Sequence, residues 1–255
     1  MGMTKQTFLF SASYTLLMAL ADALEALRNG KFVLIYDADN REHETDFVIY
    51  SKFVTYRHIQ KMRKDGGGLI CVTVPPAFWK AVKLPFMTEV LKENWEKFPV
   101  LKALEPYDIP YDTKSSFSIT INHRKTFTGI TDIDRALTVS EFGKIIEIFY
   151  AEKNKAKITE MLAHNFRSPG HVTLLNASDG LLSTRQGHTE LATALMVLAG
   201  LAPTAAICEM MGDDGYALKK SEAINYAEQN NLILLEGKEI IKAWQHESGN
   251  GNWRF

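Results

Sequence analysis

The chain has 255 residues, of which 46% are hydrophobic, 23% charged and 11% aromatic, enough apolar material for a sizeable core. Twenty-nine basic residues against 30 acidic ones leave a net charge of −1, which argues against a dedicated nucleic-acid binder, since no global field is available to grip a phosphate backbone. Two cysteines, Cys71 and Cys208, are too few for a disulfide framework and point to a reducing compartment.

The apolar run at 14–27 is short and carries Asp22 and Glu25, so neither a membrane span nor a secretory leader is expected, and the cytoplasm is the expected location. Leu16, Leu17, Leu20, Leu24 and Leu27 instead have helical spacing, with Ser11 or Ser13 as cap and Gly30 as stop. Strands are expected at 32–36, at 47–50, and at 69–74 between Gly66-Gly67-Gly68 and Pro75-Pro76. The basic residues of 57–64 read as a solvated helix face. Pro85, Pro99, Pro106 and Pro110 exclude long regular structure from 85–112, which reads as an insertion on a single domain spanning 1–255. A strand at 117–121, a helix at 137–150, a strand at 172–175 and a helix at 190–199 follow. The chain then offers a strand at 205–210 and a helix from a Ser221 cap to about 230. The ends, 1–12 and 246–255, read as loose. Alternating strands and helices favour a layered α/β fold.

Four stretches carry chemistry. In Asp37 to Asp46, five of ten residues are acidic, directly after an apolar strand. Ligands in α/β folds bind beyond the carboxyl ends of strands. Crowded carboxylates there need a cation or protons to relieve repulsion. If the segment is extended, Glu42, Glu44 and Asp46 share one face, and their oxygens suit Mg²⁺ or Mn²⁺. Arg41 could offset charge or hold a phosphate. A solvated acidic loop is the plainer alternative. Arg185-Gln186-Gly187-His188-Thr189-Glu190 opens a helix, where free amides attract anions and Arg185 and Thr189 add donors. An ordinary helix cap with an exposed Arg and His fits these residues equally well. In Ser168-Pro169-Gly170-His171 a turn places a histidine at a strand start, and Cys208-Glu209 ends another strand. Thr126 to Arg135 holds threonines, Asp132 and Arg135, which could bind phosphate or form a polar turn. Together these residue types suit metal-assisted proton abstraction beside a carbonyl in a phosphorylated substrate. A non-catalytic sugar-phosphate sensor is the rival reading.

Taken in order, Asp39-Asn40-Arg41-Glu42-His43-Glu44-Thr45-Asp46, Gly67-Gly68-Leu69-Ile70-Cys71, Phe117-Ser118-Ile119-Thr120-Ile121, Thr128-Gly129-Ile130, Asp134-Arg135, Pro169-Gly170-His171-Val172, Arg185 to Glu190 and Cys208-Glu209 resemble the 3,4-dihydroxy-2-butanone 4-phosphate synthases. The insertion and the run Lys114 to Arg124 resemble archaeal members, and the form is expected to be monofunctional. The resemblance implies a single-domain layered α/β/α sandwich with a mixed central sheet. It implies a lyase that converts D-ribulose 5-phosphate to L-3,4-dihydroxy-2-butanone 4-phosphate and formate in riboflavin biosynthesis, using Mg²⁺ or Mn²⁺. It also implies roles. Glu42 and His188 would ligate the metal. Arg185, Gly187 and Thr189, with Thr128, Asp132 and Arg135, would hold the phosphate. Asp46 would bind the sugar hydroxyls, and Arg41 and Gln186 would also face the substrate. His171 and Glu209 would be the acid–base pair, assisted by Asp37 and Glu44. The implied assembly is a homodimer with sites at the interface, so that His171 could come from the partner chain. Cys71 is expected in the core rather than in the site.

Overall fold

In the computed structural model, residues 18–249 are described. Helix α1 covers 18–28 and buries Ala23 and Leu27, one helical turn apart. The expected start of this helix, with Ser11 and Ser13, lies outside the described residues, as do 1–12 and 250–255.

Strands β1 (Val33–Tyr36), β2 (Thr45–Tyr50), β3 (Cys71–Val74), β4 (Phe117–His123), β5 (Phe166–Asn176), β6 (Ala205–Glu209) and β7 (Ile233–Glu236) form one mixed sheet in the order β4-β5-β3-β6-β2-β1-β7. β1 runs parallel to β7, and β3 to β5; the other neighbours are antiparallel. Both sides of the sheet are covered, so its central strands are apolar at nearly every position. Alternation divides them cleanly. Val33, Ile35, Val48, Tyr50, Ala205 and Ile207 join one core cluster, while Leu34, Phe47, Ile49, Ala206 and Cys208 join the other.

The first cluster is closed by α1, α8 (His188–Leu198) and α10 (Gly237–Gly249), through Leu27, Leu191, Leu195 and Ile240. The second is closed by α2 (Tyr56–Asp65), α3 (Pro76–Val82), α6 (Asp132–Glu152), α7 (Lys155–Asn165) and α9 (Lys220–Gln229). Met62, Phe78, Phe142, Ile158 and Ala227 are their contributions. The result is the expected α/β/α sandwich. Among the described residues no helix is long and apolar enough to cross a membrane.

Several boundaries differ from the sequence expectation. Pro76 does not merely end a strand; it occupies the first turn of α3, where its missing N–H costs nothing. Helix α6 begins five residues early because Thr131 caps it, accepting from the Asp134 amide. Ser221 lies inside α9, whose cap position is Lys219. Helix α10 runs to Gly249, so 246–249 are helical. The 85–112 segment holds two short helices, α4 (Met87–Lys92) and α5 (Pro99–Ala103). Where α6 crosses residues 51–53, a Cβ on Gly143 would stand 2.5 Å from the Lys52 nitrogen. Only glycine allows that approach, and the Lys52–Glu147 ion pair at 2.7 Å spans the same crossing.

Three central strands position the site. Asp46 is the second residue of β2, paired with Ile35 of β1 on one side and Glu209 of β6 on the other. Cross-strand partners share a face. Asp46 and Glu209 therefore project to the α8 side, beside the start of that helix.

Candidate active site

His188, the first residue of α8, is buried at 5% exposure. Its Nδ1 lies 3.1 Å from Glu42 Oε2, and its Nε2 lies 3.3 Å from the Ile35 carbonyl and 3.6 Å from Asp46 Oδ1. Burial is the largest influence on this imidazole and disfavours its charge. The Asp46, Glu42 and Asp37 carboxylates outweigh it and raise the His188 pKa to about 9. Burial also works against the Glu42 charge, yet His188, Arg41 and Arg185 hold its carboxyl below the usual range. Glu44, Asp46 and Glu209 behave oppositely: burial, reinforced by neighbouring acids, pushes all three upward.

The loop between β1 and β2 is organised by Asp37. Its Oδ2 accepts from the Glu42 amide at 2.9 Å and its Oδ1 from the Glu44 amide at 3.1 Å. The chain turns through His43 in the left-handed region. Asp37 thus clamps the loop rather than lining the cavity. Glu42, Glu44 and Asp46, expected to share the face of an extended segment, line one cavity even though 39–42 form a turn and His43 is left-handed. This cavity, of about 250 Å³, is also lined by Arg185, His188, Thr189 and Glu209.

Two guanidinium groups converge at the start of α8. Arg185 meets Glu190 Oε2 and Asp112 Oδ2, both at 2.5 Å. Arg41 meets Glu42 at 2.9 Å, Asp112 at 3.1 Å and Asp37 at 3.4 Å. A Cβ on Gly187 would lie 2.3 Å from Arg185 Nη1 and 2.6 Å from Arg41 Nη2, so both cations rest on this glycine. Glu190 is fully buried, and its second oxygen accepts from the Ser178 amide at 2.8 Å. Gln186 lies on the other side of Arg41, lining a second cavity with Tyr36 and Lys238.

The remaining expected residues sit elsewhere in the single chain. β5 departs from its ladder between Arg167, paired with Asn122, and Val172, paired with Ile121. His171 lies in this excursion, its Nδ1 3.0 Å from Asn122 Nδ2, and the same amide group donates to the Thr128 carbonyl. Asp132 is gripped by Arg63, a residue expected on a solvated helix face, and by Arg135. Arg135 is buried and also donates to the Gly68 carbonyl. None of Thr128, Asp132, Arg135 and His171 lines the Glu42–His188 cavity. Cys71 is buried in the core. The sequence places Glu190 in its motif without a role, and does not mark Asp112 at all. An acid facing the apolar run Leu191 to Leu198 is the signal at Glu190; nothing in the local pattern marks Asp112.

The donor set fits a divalent cation. One ligand atom each from Asp37, Glu42 and His188 lie within 4.8 Å of one another. Asp46 Oδ1 is buried with no hydrogen-bond partner, an orphan acceptor in an acidic cluster. The carboxylate oxygens suit hard cations such as Mg²⁺ or Mn²⁺, whereas the imidazole is a ligand that softer divalent ions prefer.

The family model for 3,4-dihydroxy-2-butanone 4-phosphate synthase matches residues 21–243. The chain belongs to that family. The synthase of Methanothermobacter thermautotrophicus is 47% identical over 230 residues, covering 90% of this chain and 97% of the relative. That of Archaeoglobus fulgidus is 43% identical over 233 residues, with 90% and 95% covered. Among solved structures, a 3,4-dihydroxy-2-butanone 4-phosphate synthase in complex with two magnesium ions superposes with a TM-score of 0.69 at 25% identity, covering 90% of this chain and 98% of the other. A cation-free form of such a synthase gives 0.67 at 25% identity, with 89% and 97% covered. Membership assigns the sandwich and its mixed sheet to the synthase fold.

Proposed function

We propose that the chain converts D-ribulose 5-phosphate to L-3,4-dihydroxy-2-butanone 4-phosphate and formate in riboflavin biosynthesis. The observation that carries this reading is the junction, at one helix start, of an acid–imidazole cluster with two arginines resting on Gly187, in a chain of this family.

Arg185 and Arg41, with the free amides of α8 and the Thr189 hydroxyl, hold the substrate phosphate. That grip aligns the sugar along the cavity toward Glu209. Asp46 receives the sugar hydroxyls. Glu42 and His188 would hold the cation, Mg²⁺ or Mn²⁺, which supplies Lewis-acid stabilisation of enolate charge. The reaction needs a proton taken beside the C2 carbonyl, a general acid for loss of the C1 hydroxyl as water, a carbon shift, addition of a water to the C4 carbonyl, and base assistance in releasing C4 as formate. Glu44 and Glu209 suit repeated proton transfer, because burial keeps their carboxyls protonated further toward neutral pH.

His171 completes the acid–base set from a second copy of the chain. It lies near a surface that exposes Phe127, at 95%, with Ile130 and Ile133, large apolar side chains of the kind that interaction sites gather. A homodimer buries that surface and carries His171 into the partner's cavity. The two cysteines are buried free thiols, which suits work in the cytoplasm.

Formate release from ribulose 5-phosphate tests the activity: it should require Mg²⁺ or Mn²⁺ and stop with EDTA. Protein that binds the metal and releases no formate would overturn the reading. Mixing inactive His171→Ala with inactive Glu42→Ala should restore activity through hybrid dimers. No recovery on subunit exchange would place His171 outside the partner's site.

A further inference from the structure

Asp112 has no part in the roles derived above, yet it occupies their centre. It comes from the irregular stretch that leads from the 85–112 segment into β4, and its side chain is 12% exposed. A single oxygen, Oδ2, accepts from both Arg41 and Arg185, and Oδ1 accepts from the Thr113 amide at 2.8 Å. The neighbouring Tyr111 ring lies 5.5 Å from the Arg41 guanidinium.

Both arginines are already held without Asp112. Arg185 is fixed by Glu190, whose side chain is completely buried, and Arg41 by Glu42 and Asp37. Asp112 is thus a supernumerary anion, seated where two guanidiniums converge over Gly187. We propose that Asp112 is an internal stand-in for the substrate phosphate, displaced when ribulose 5-phosphate binds. The proposal rests on the assignment of the phosphate to this helix start.

Two anions cannot share the fork. A phosphate dianion brings more charge and more acceptor oxygens than the carboxylate it replaces, so it can win the exchange. An unphosphorylated pentulose brings neither and leaves the arginines occupied. The competition therefore selects for the phosphorylated sugar. Tyr111 lines both this cavity and the neighbouring one, so withdrawal of the 111–112 segment also opens one into the other.

The test is calorimetric titration of inorganic phosphate into the metal-free full-length chain, comparing wild type with Asp112→Asn, Asp112→Ala and Asp112→Glu. Removing the competitor should tighten phosphate binding at least about tenfold in the Asn and Ala variants, the scale of one charge-assisted hydrogen bond. Asp112→Glu, which keeps the charge, should stay close to wild type. In steady state, KM for ribulose 5-phosphate should fall in the Asn and Ala variants with kcat held. Equal or weaker phosphate binding in variants that melt like wild type would overturn the displacement and leave Asp112 as a holder of the arginines. Failure of phosphate to bind wild type and every variant would instead refute the phosphate seat itself, and this proposal with it.

Discussion

Cation binding to this site should release a proton and strengthen steeply with pH. His188 has a pKa of about 9 in the cation-free chain and must be neutral to ligate. At pH 7 the proton therefore has to be removed roughly two pH units below its pKa, a handicap of about 100-fold in affinity, or ~2.7 kcal/mol. Between pH 6.5, the ordinary histidine value, and 9, the apparent Kd for Mn²⁺ should fall about tenfold per unit. Calorimetry in buffers of different ionisation enthalpy would count the proton directly, with about one released per His188 engaged. The same group governs stability with a definite sign. A histidine whose folded pKa is raised stabilises fully below 6.5, and that contribution disappears as pH rises through about 9. The raised carboxyls of Glu44, Asp46 and Glu209 share the sign but start lower: their contribution begins to be lost as pH rises above the ordinary carboxylate range. Metal-free protein should thus melt lower at pH 9 than at 6.5, and saturating Mn²⁺ should narrow the gap. A pH-independent Kd, or no proton released, would refute the charge assignment of this cluster.

Arg185→Met leaves Glu190 buried with only the Ser178 amide as partner, and should cost about 3–5 kcal/mol in urea unfolding; adding Glu190→Gln should recover part of that loss. Gly187→Ala would press on the mobile ends of two arginines rather than on backbone, so KM for ribulose 5-phosphate should rise while the melting temperature barely moves. Gly143→Ala presses on the Lys52 backbone instead, and should destabilise by roughly 1–3 kcal/mol in denaturant unfolding.

The readable parts of the fold were those in which one physical signal dominates. β1 and the inner parts of β2 and β3 are mostly apolar because both their faces are covered, and α8 shows its start through Gly187 and its stop through Gly200. Helix α7 buries one residue deeply, Ile158, so its sequence carries little periodic pattern. β7 is an edge strand with three of its four positions half-buried, and α10 follows it directly at Gly237, with the Glu239 side chain accepting from the Glu236 amide at 2.7 Å. The acidic loop and the Arg185–Glu190 stretch could be read because each gathers its chemistry within ten residues. Asp112 meets Arg185 across 73 residues of sequence, from a stretch with neither period nor motif. The positions of Thr128, Asp132, Arg135 and His171 relative to the cavity depend on the excursion in β5 and on how β4 and α6 pack beside it, neither of which local sequence records.

The pairing of Asp46 with Glu209 has a consequence for how the molecule loosens. Both acids belong to backbone ladders in the middle of a seven-stranded sheet, whose amides exchange with solvent only when the whole domain opens. The loop at 38–44 and the stretch at 104–115 carry no strand pairing, so they should open before the sheet does. Mild denaturant should therefore free Arg41 and Asp112 from the fork at Arg185 while the acid pair stays assembled. Substrate affinity and protonic chemistry then fail at different thresholds, and mutations in the two loops can retune the first without disturbing the second.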